Sequence, residues 1–218
     1  MRNRRGAFLL FVLFLTLGVK AQRVGVVLSG GGGSALSHIG VLKVLEENRI
    51  PIDYICGTSM GAMVAALYAS GYSPAEIETM YLSETFRKNA KGIVDADYIY
   101  HFKRHPENAS WLTVKLALDS TIETSLPTNL VNPIPIDYSI MEMMAPPAAA
   151  AGYNFDSLLV PFRCLAADIE NKKSVVFRKG DLGKCVRASL SYPFYLKPVS
   201  IDGVLLFMGG STIIFRVM

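Results

Sequence analysis

The sequence is poor in the residues from which metal sites and disulfide frameworks are built. It contains three cysteines and three histidines in 218 residues, and none of them stands at a metal-ligand spacing. Because an odd number of cysteines does not indicate a disulfide framework, we interpret Cys56, Cys164 and Cys185 as small core residues. We therefore expect no disulfide, no metal and no cofactor.

Charged residues are also scarce, at 18% of the chain with a net charge of +4. The lysines and arginines are scattered rather than clustered in a stripe, so we do not expect a nucleic-acid partner. The apolar run from Ala7 to Leu17 is too short to span a bilayer comfortably. It follows three arginines and precedes the small residues around Ala21, which is typical of an export signal. We expect residues 1–21 to direct export, to the periplasm or outer membrane in a bacterium.

The remaining residues, 22–218, are numerous enough for one domain with a full hydrophobic core. "RVGVVLS" (23–29) is typical of a strand buried on both faces, and "IPIDYICGT" (51–59) predicts a second one. Between them, "ALSHIGVLKVLEEN" (35–48) predicts an amphipathic helix. The apolar positions assigned to its buried face are Leu36, Ile39, Val41, Leu42 and Leu45. A strand, helix and strand joined by short loops predict an α/β fold with a parallel sheet.

Further along the chain, the pattern predicts a helix closed by Gly71 and another over "SPAEIETMYLSETF" (73–86), with Ser73 as its N-cap. "WLTVKLAL" (111–118) predicts a strand, whereas residues 119–155 show no sustained period and predict loops, short helices and a mobile lid. Two apolar runs flank the polar turn 170–173 as in a hairpin. Asp181 then caps a predicted helix.

"CGTSMG" (56–61) places a serine between two glycines where the second strand meets its helix. A nucleophilic serine needs a tight turn that exposes its oxygen, and glycines two residues before and after it avoid collisions where the chain doubles back. Gly57 and Gly61 meet that requirement. The pattern predicts Ser59 as a catalytic nucleophile, with the positive end of the following helix dipole favouring developing negative charge.

"LSGGGG" (28–33) follows the first strand directly, and four successive glycines can present bare N–H groups to an anion. A phosphate-binding P-loop is excluded because no Gly-Lys-Ser/Thr follows. A dinucleotide site would need an acidic residue at the end of the second strand, whereas Asp53 stands at its beginning. In the hydrolase interpretation, the amides of Gly31 and Gly32 hold the oxyanion that forms when Ser59 attacks an ester.

"VLSGGGGSALSHIGVLKVLEE" and "IDYICGTSMGAMVAALYASGYS" together resemble the start of a patatin-like phospholipase domain, and the resemblance continues through most of residues 23–210. It implies a three-layer α/β/α fold with a mainly parallel central sheet, and hydrolysis of lipid acyl esters, such as those of phospholipids at a membrane surface. Ser34 and Ala35 depart mildly from the family pattern, which has a basic residue and a glycine there. The implied oxyanion hole comprises Gly30, Gly31, Gly32, Gly33 and the N–H of Met60.

The expected catalytic base is missing. We interpret His38, His101 and His105 as structural or solvent-facing. The family uses a Ser-Asp dyad, with the aspartate in an Asp-Gly-Gly or Asp-Gly-Ala turn on a late strand. Here Met208 precedes Gly209-Gly210. Asp202-Gly203 comes before that strand rather than after it, and we interpret it as a tight turn.

The last residues, "STIIFRVM", suggest a cause. The family motif usually continues as Asn-Asn-Phe-Pro, and codons for Tyr-Asn-Asn-Phe-Pro, read one base out of register, can encode Thr-Ile-Ile-Phe-Arg. We therefore hypothesise a frameshift after Met208 that removed the aspartate and left the domain incomplete. Without a base, Ser59 stays protonated and attacks slowly. We expect an impaired lipid hydrolase. The alternative is an exported pseudoenzyme that binds lipid without turnover.

Overall fold

The computed structural model describes residues 23–94, 113–116, 122–125 and 130–209. The predicted export signal, His101, His105 and the sequence after Gly209 lie outside these residues. The strands are β1 (Gly25–Leu28), β2 (Tyr54–Thr58), β3 (Thr113–Leu116), β4 (Ile122–Ser125), β5 (Phe162–Asp168), β6 (Lys173–Phe177), β7 (Val199–Ile201) and β8 (Val204–Met208). The helices are α1 (Ser37–Glu47), α2 (Met60–Ala69), α3 (Pro74–Leu82), α4 (Glu84–Ala90), α5 (Ile134–Ala150) and α6 (Leu182–Leu190), with 3₁₀ turns at Gly32–Leu36 and Phe155–Ser157.

The central sheet has the order β1-β2-β5-β8-β7, and β6 also pairs with β5. The β1–β2 and β2–β5 pairs are parallel, whereas β6, β7 and β8 join in antiparallel orientation. The predicted α/β class with a mainly parallel central sheet is therefore confirmed, and its parallel part consists of β1, β2 and β5. The predicted hairpin around residues 170–173 is the β5–β6 pair, and β3 and β4 form a separate two-stranded sheet.

The core lies between the sheet and the helices that pack on it. Ile55 and Phe162 are register partners on neighbouring strands and are fully buried, and α2 fills the space above them with side chains that solvent does not reach. Side chains alternate between the faces of a strand, so Val27 points to the opposite face. There it is 78% exposed, although the sequence predicted a strand buried on both faces.

Helix ends follow the local sequence closely. Ser73 accepts a hydrogen bond from the Glu76 N–H while the Glu76 carboxylate accepts one from the Ser73 N–H, which makes a capping box. Gly71 has a φ of 101° just after α2, where a side chain would be strained. The predicted caps at Gly71, Ser73 and Asp181 are confirmed. The predicted turn at Asp202-Gly203 is also confirmed, since it joins the antiparallel strands β7 and β8.

Three predictions about helices were wrong. Residues 119–155 contain the 17-residue helix α5 rather than short helices. Its buried residues recur every four positions, at Ile136, Ile140, Met144 and Ala148, a stripe that the prolines at 146 and 147 obscured. Val41 is exposed because it lies off the α1 stripe that buries Ile39 and Leu42. The helix after Ser73 stops at Ser83, which ends α3 and caps α4.

Candidate active site

Ser59 lies at the junction of β2 and α2, as the sequence predicted. It is the N-cap of α2, with φ 54° and ψ −131°, a backbone conformation that a residue with a side chain rarely adopts. The Ser59 N–H donates to Ser189 Oγ over 2.8 Å, and Ser189 Oγ donates to the Leu165 carbonyl over 2.6 Å. The turn is thereby anchored to both α6 and β5. The sequence offered no reason to single out Ser189.

The two glycines that flank Ser59 leave no room for side chains. A Cβ on Gly57 would lie 2.4 Å from the Gly61 carbonyl oxygen, and a Cβ on Gly61 would lie 2.3 Å from the Ser29 carbonyl oxygen. Both distances are far below contact, so α2 can approach β1 and β2 this closely only without those side chains. The steric reason that the sequence suggested for the glycines is present in the structure.

The glycine loop lies directly beside Ser59. A Cβ built on Gly30 would lie 2.9 Å from Ser59 Cβ and 3.6 Å from Ser59 Oγ. Gly31, Gly32, Gly33 and Met60 line the same cavity as Ser59. The structure therefore brings together the residues that the sequence assigned to the nucleophile and the oxyanion hole, across the parallel strands β1 and β2.

The cavity has a volume of about 710 Å³ and is mainly apolar. Helices α3 and α4 form one wall, and α5, α6 and the loop after α6 contribute others. Apolar side chains that line it include Met63, Phe86, Ile136, Leu190 and Leu196. A cavity of this size and polarity suits an acyl chain or another apolar group.

Among the described residues that line the cavity with Ser59, none carries a carboxylate or an imidazole. Met208 is one of these lining residues, and it stands before Gly209-Gly210, where the family resemblance implies an aspartate. His38 Nε2 hydrogen-bonds with the Ser29 carbonyl over 2.9 Å. The buried Tyr81 hydroxyl has no hydrogen-bond partner among the described residues, and burial raises its pKa, so it stays protonated.

The cysteines do not offer a competing nucleophile in the core. Cys164 and Cys185 are buried free thiols. Burial raises the pKa of both, that of Cys185 to about 12, so both remain protonated and unreactive.

Asp53 accepts a hydrogen bond from the Val24 N–H over 2.7 Å at the start of β2. The glycine loop follows the other end of β1, so Asp53 does not serve a dinucleotide site there.

Three features occur together: a serine on a strained strand-to-helix turn, a glycine loop that contacts it, and an apolar cavity that the serine and the loop both line. They define the arrangement of an α/β serine hydrolase. The model of the family described as patatin-like phospholipase matches residues 26–213. The chain belongs to this family.

Three individual proteins share 12 to 28% sequence identity with most of this chain. Lysophospholipase NTE1 of Candida albicans is 27% identical over 190 residues, which are 87% of this chain and 11% of that protein. An uncharacterized NTE family protein of Mycobacterium bovis is 28% identical over 193 residues, 88% of this chain and 44% of that protein. VipD from Legionella pneumophila superposes with a TM-score of 0.48 at 12% identity, covering 87% of this chain and 46% of that one. The chain thus spans less than half the length of these relatives.

Proposed function

We propose that the domain is a serine acyl-ester hydrolase for lipids, with Ser59 as the nucleophile. The observation that carries this proposal is the approach of Gly30 to Ser59, with a built Cβ 3.6 Å from Ser59 Oγ, beside an apolar cavity of about 710 Å³. A carbonyl held near Ser59 Oγ would have the bare amides of the glycine loop on its other side. The apolar walls would hold the acyl chain.

The proposed oxyanion hole uses the N–H groups of Gly30, Gly31, Gly32, Gly33 and Met60. All of these except Gly30 line the cavity with Ser59, and Gly30 lies against the Ser59 side chain. The start of α2 adds the positive end of its dipole at the same place. Removal of one such donor costs about 3 to 4 kcal/mol of transition-state stabilisation in serine hydrolases. No cofactor or metal is needed for this chemistry.

The proposed mechanism in intact relatives is a Ser-Asp dyad, in which the aspartate removes the proton of the serine hydroxyl as the ester is attacked. In this chain Met208 precedes Gly209-Gly210, where the family pattern has the aspartate, and Met208 also lines the cavity, so a thioether replaces the carboxylate. A thioether cannot accept the proton. We therefore propose that this chain hydrolyses esters slowly. The same observation favours a second candidate function, an exported pseudoenzyme that binds lipid without turnover.

The substrate class that we propose is a phospholipid or lysophospholipid. The named activity of the Candida albicans relative supports it, and so does the shape and polarity of the cavity. Such substrates are held in bilayers or micelles, so we propose that the domain works at a membrane surface. We further propose that residues 1–21 export the chain, as their composition predicts.

A gain-of-function experiment tests the proposal. Met208→Asp places a carboxylate in the cavity that contains Ser59, and a general base contributes about 10²- to 10⁴-fold in rate. We expect Met208→Asp to raise hydrolysis of a short-chain p-nitrophenyl ester by about 10²-fold or more, and to enable labelling by a fluorophosphonate probe. Met208→Asn, which is matched in size and has no charge, should not.

Ser59→Ala supplies the control for the nucleophile. In the Met208→Asp background, Ser59→Ala should abolish both hydrolysis and probe labelling. Fast hydrolysis by the unmodified chain that Ser59→Ala removes would contradict the proposed impairment. Hydrolysis that persists in Ser59→Ala would contradict the assignment of the nucleophile. A Met208→Asp protein that folds, binds a fatty-acid fluorophore and remains unlabelled would favour the pseudoenzyme.

A further inference from the structure

Large apolar side chains at the cavity and beside it point into solvent. Leu82 is 72% exposed, Leu130 is 74% exposed and Phe194 is 77% exposed. Leu82, Tyr192 and Tyr195 line the cavity, and the Leu130 N–H donates to the Phe194 carbonyl over 2.8 Å. We call these five residues the apolar rim. Three of the five line the cavity, Phe194 directly precedes Tyr195 in the chain, and Leu130 is hydrogen-bonded to Phe194.

The rim is held in place by its backbone. Phe194 has a φ of 65°, a conformation that costs a residue with a side chain free energy. The Leu130 N–H donates to the Phe194 carbonyl, the Val131 N–H donates to the Tyr195 carbonyl, and the Tyr195 hydroxyl donates to the Ala90 carbonyl. These contacts hold the Phe194 loop against both α4 and the segment before α5. An aromatic ring is thus kept in water despite its apolar surface.

The charge at the mouth has one sign. Among the described residues that line the cavity, Arg87 and Lys91 are the charged ones, and both are cations with exposed side chains. Both extend from the C-terminal end of α4, where cations also interact favourably with the helix dipole. No ion pair involving Arg87 or Lys91 occurs within the described residues. A negatively charged surface would therefore complement this side of the mouth.

We propose that the apolar rim, with Arg87 and Lys91, docks onto the surface of an anionic phospholipid bilayer. Exposed aromatic and leucine side chains enter the boundary between headgroups and acyl chains, and cations bind the phosphates above it. Docking in this way opens the cavity onto the bilayer, so a lipid can reach Ser59 without crossing water. The inference rests on the proposed lipid substrate, and it adds the face and the charge of the membrane that the domain binds.

Sedimentation with sucrose-loaded vesicles tests the docking face. The full chain should bind vesicles of phosphatidylcholine with phosphatidylglycerol more tightly than vesicles of phosphatidylcholine alone. Phe194→Asn should weaken binding to the anionic vesicles by about tenfold, and asparagine tolerates the positive φ at this position. Tyr153→Asn is the matched control, because Tyr153 is also an exposed aromatic residue with a φ of 58° and does not line the cavity.

The cations are tested in the same assay. Arg87→Gln with Lys91→Gln should weaken binding to anionic vesicles by about tenfold and remove most of its salt dependence. Lys172→Gln with Lys184→Gln removes the same charge away from the cavity and should change binding less than twofold. Residues 1–21 are the same in every variant, so any binding that they add is common to all.

Three results would overturn the proposal. The unmodified chain could fail to bind anionic vesicles, or it could bind them no better than neutral ones. The control variants at Tyr153 or at Lys172 and Lys184 could also lose as much binding as the test variants. Vesicle binding needs no turnover, whereas the Met208→Asp and Ser59→Ala variants report ester hydrolysis in solution. Failure of the docking face is therefore distinguishable from failure of the proposed hydrolase chemistry.

Discussion

Ser59 combines an unfavourable backbone conformation with tight packing from every side. Its φ of 54° carries a strain of roughly 1 to 3 kcal/mol, and the surrounding contacts must offset it. Gly30 contacts its side chain, and Gly57 packs so closely against Gly61 that a Cβ on Gly57 would lie 2.4 Å from the Gly61 carbonyl oxygen. The strain presents Ser59 Oγ to the cavity instead of to the strand.

Gly61→Ala should be severely destabilising, because its Cβ would overlap the carbonyl oxygens of Ser29 and Leu28 at 2.3 and 2.5 Å. We expect a loss of about 3 kcal/mol or more. Gly40→Ala is the matched change, since α1 leaves open space around Gly40. It should stabilise the protein by about 0.5 to 1 kcal/mol. Urea unfolding followed by circular dichroism measures both, and equal effects would contradict the packing that we describe.

The sequence identified the residues that the fold brings together around Ser59 more completely than the walls of the cavity beside them. Ser59, its flanking glycines and the glycine loop are local patterns, and each needs only neighbours in the chain to be recognised. Ser189 is different, because its role depends on Ser59, which lies 130 positions earlier in the chain. From the sequence alone, Arg87 and Lys91 cannot be told from the polar residues of any exposed helix face. Only the fold shows that α4 lines the cavity. Distant contacts of this kind leave no local pattern.

At the scale of elements, local propensity and burial disagree most in α5. Prolines at positions 146 and 147 remove backbone donors and disfavour a helix by about 3 kcal/mol, which is why the sequence predicted loops there. Burial of Ile136, Ile140, Met144 and Ala148 against the core outweighs that cost. Arg187 of α6 adds an ion pair with Asp137 of α5 and a hydrogen bond to Ser191 Oγ at 2.7 Å. Tertiary contacts, absent from a local pattern, thus define this helix.

Ser189 links three elements, so its hydroxyl has an effect larger than that of a surface serine. Ser189→Ala leaves the buried Ser59 N–H without its partner and frees the Leu165 carbonyl. We expect a loss of about 1 to 3 kcal/mol. Ser37→Ala removes an exposed hydroxyl that donates to the Ser34 carbonyl over 2.9 Å, and should cost less than about 1 kcal/mol. Chemical denaturation of both variants compares them, and equal losses would mean that the Ser189 link does not support the turn.

At the scale of the whole molecule, the two faces of the central sheet differ in the part of the chain that the structure describes. One face packs against the helices and contains the core, with Ile55 and Phe162 fully buried. The other face carries Val27, 78% exposed, and the Arg163 guanidinium, which lies 5.4 Å from the Tyr54 ring centroid and pairs with Asp156. Register explains the difference, because neighbouring residues of one strand point to opposite faces. Among the described residues, no helix is long and apolar enough to span a membrane.

Acid stability depends on carboxylates that fix turns and ends in several parts of the molecule. Hydrogen bonds from the backbone and side chain of Asn171 lower the pKa of Asp168, at the β5–β6 turn. A hydrogen bond from Arg163 lowers the pKa of Asp156, and Ser73 lowers that of Glu76. A carboxyl with a lowered pKa adds stability above its unfolded pKa of about 4 and loses it as the pH falls through the folded value.

The free energy of unfolding should therefore fall as the pH is lowered below about 4, and Asp168→Asn isolates one contribution. At pH 7 the variant lacks a charged acceptor for both Asn171 donors, so it should be less stable than the unmodified protein. Toward pH 2 the native Asp168 loses its charge as the pH approaches its lowered pKa, so the difference should shrink. Urea unfolding at both pH values measures the two differences. An unchanged difference would mean that packing, and not the charge of Asp168, stabilises this turn.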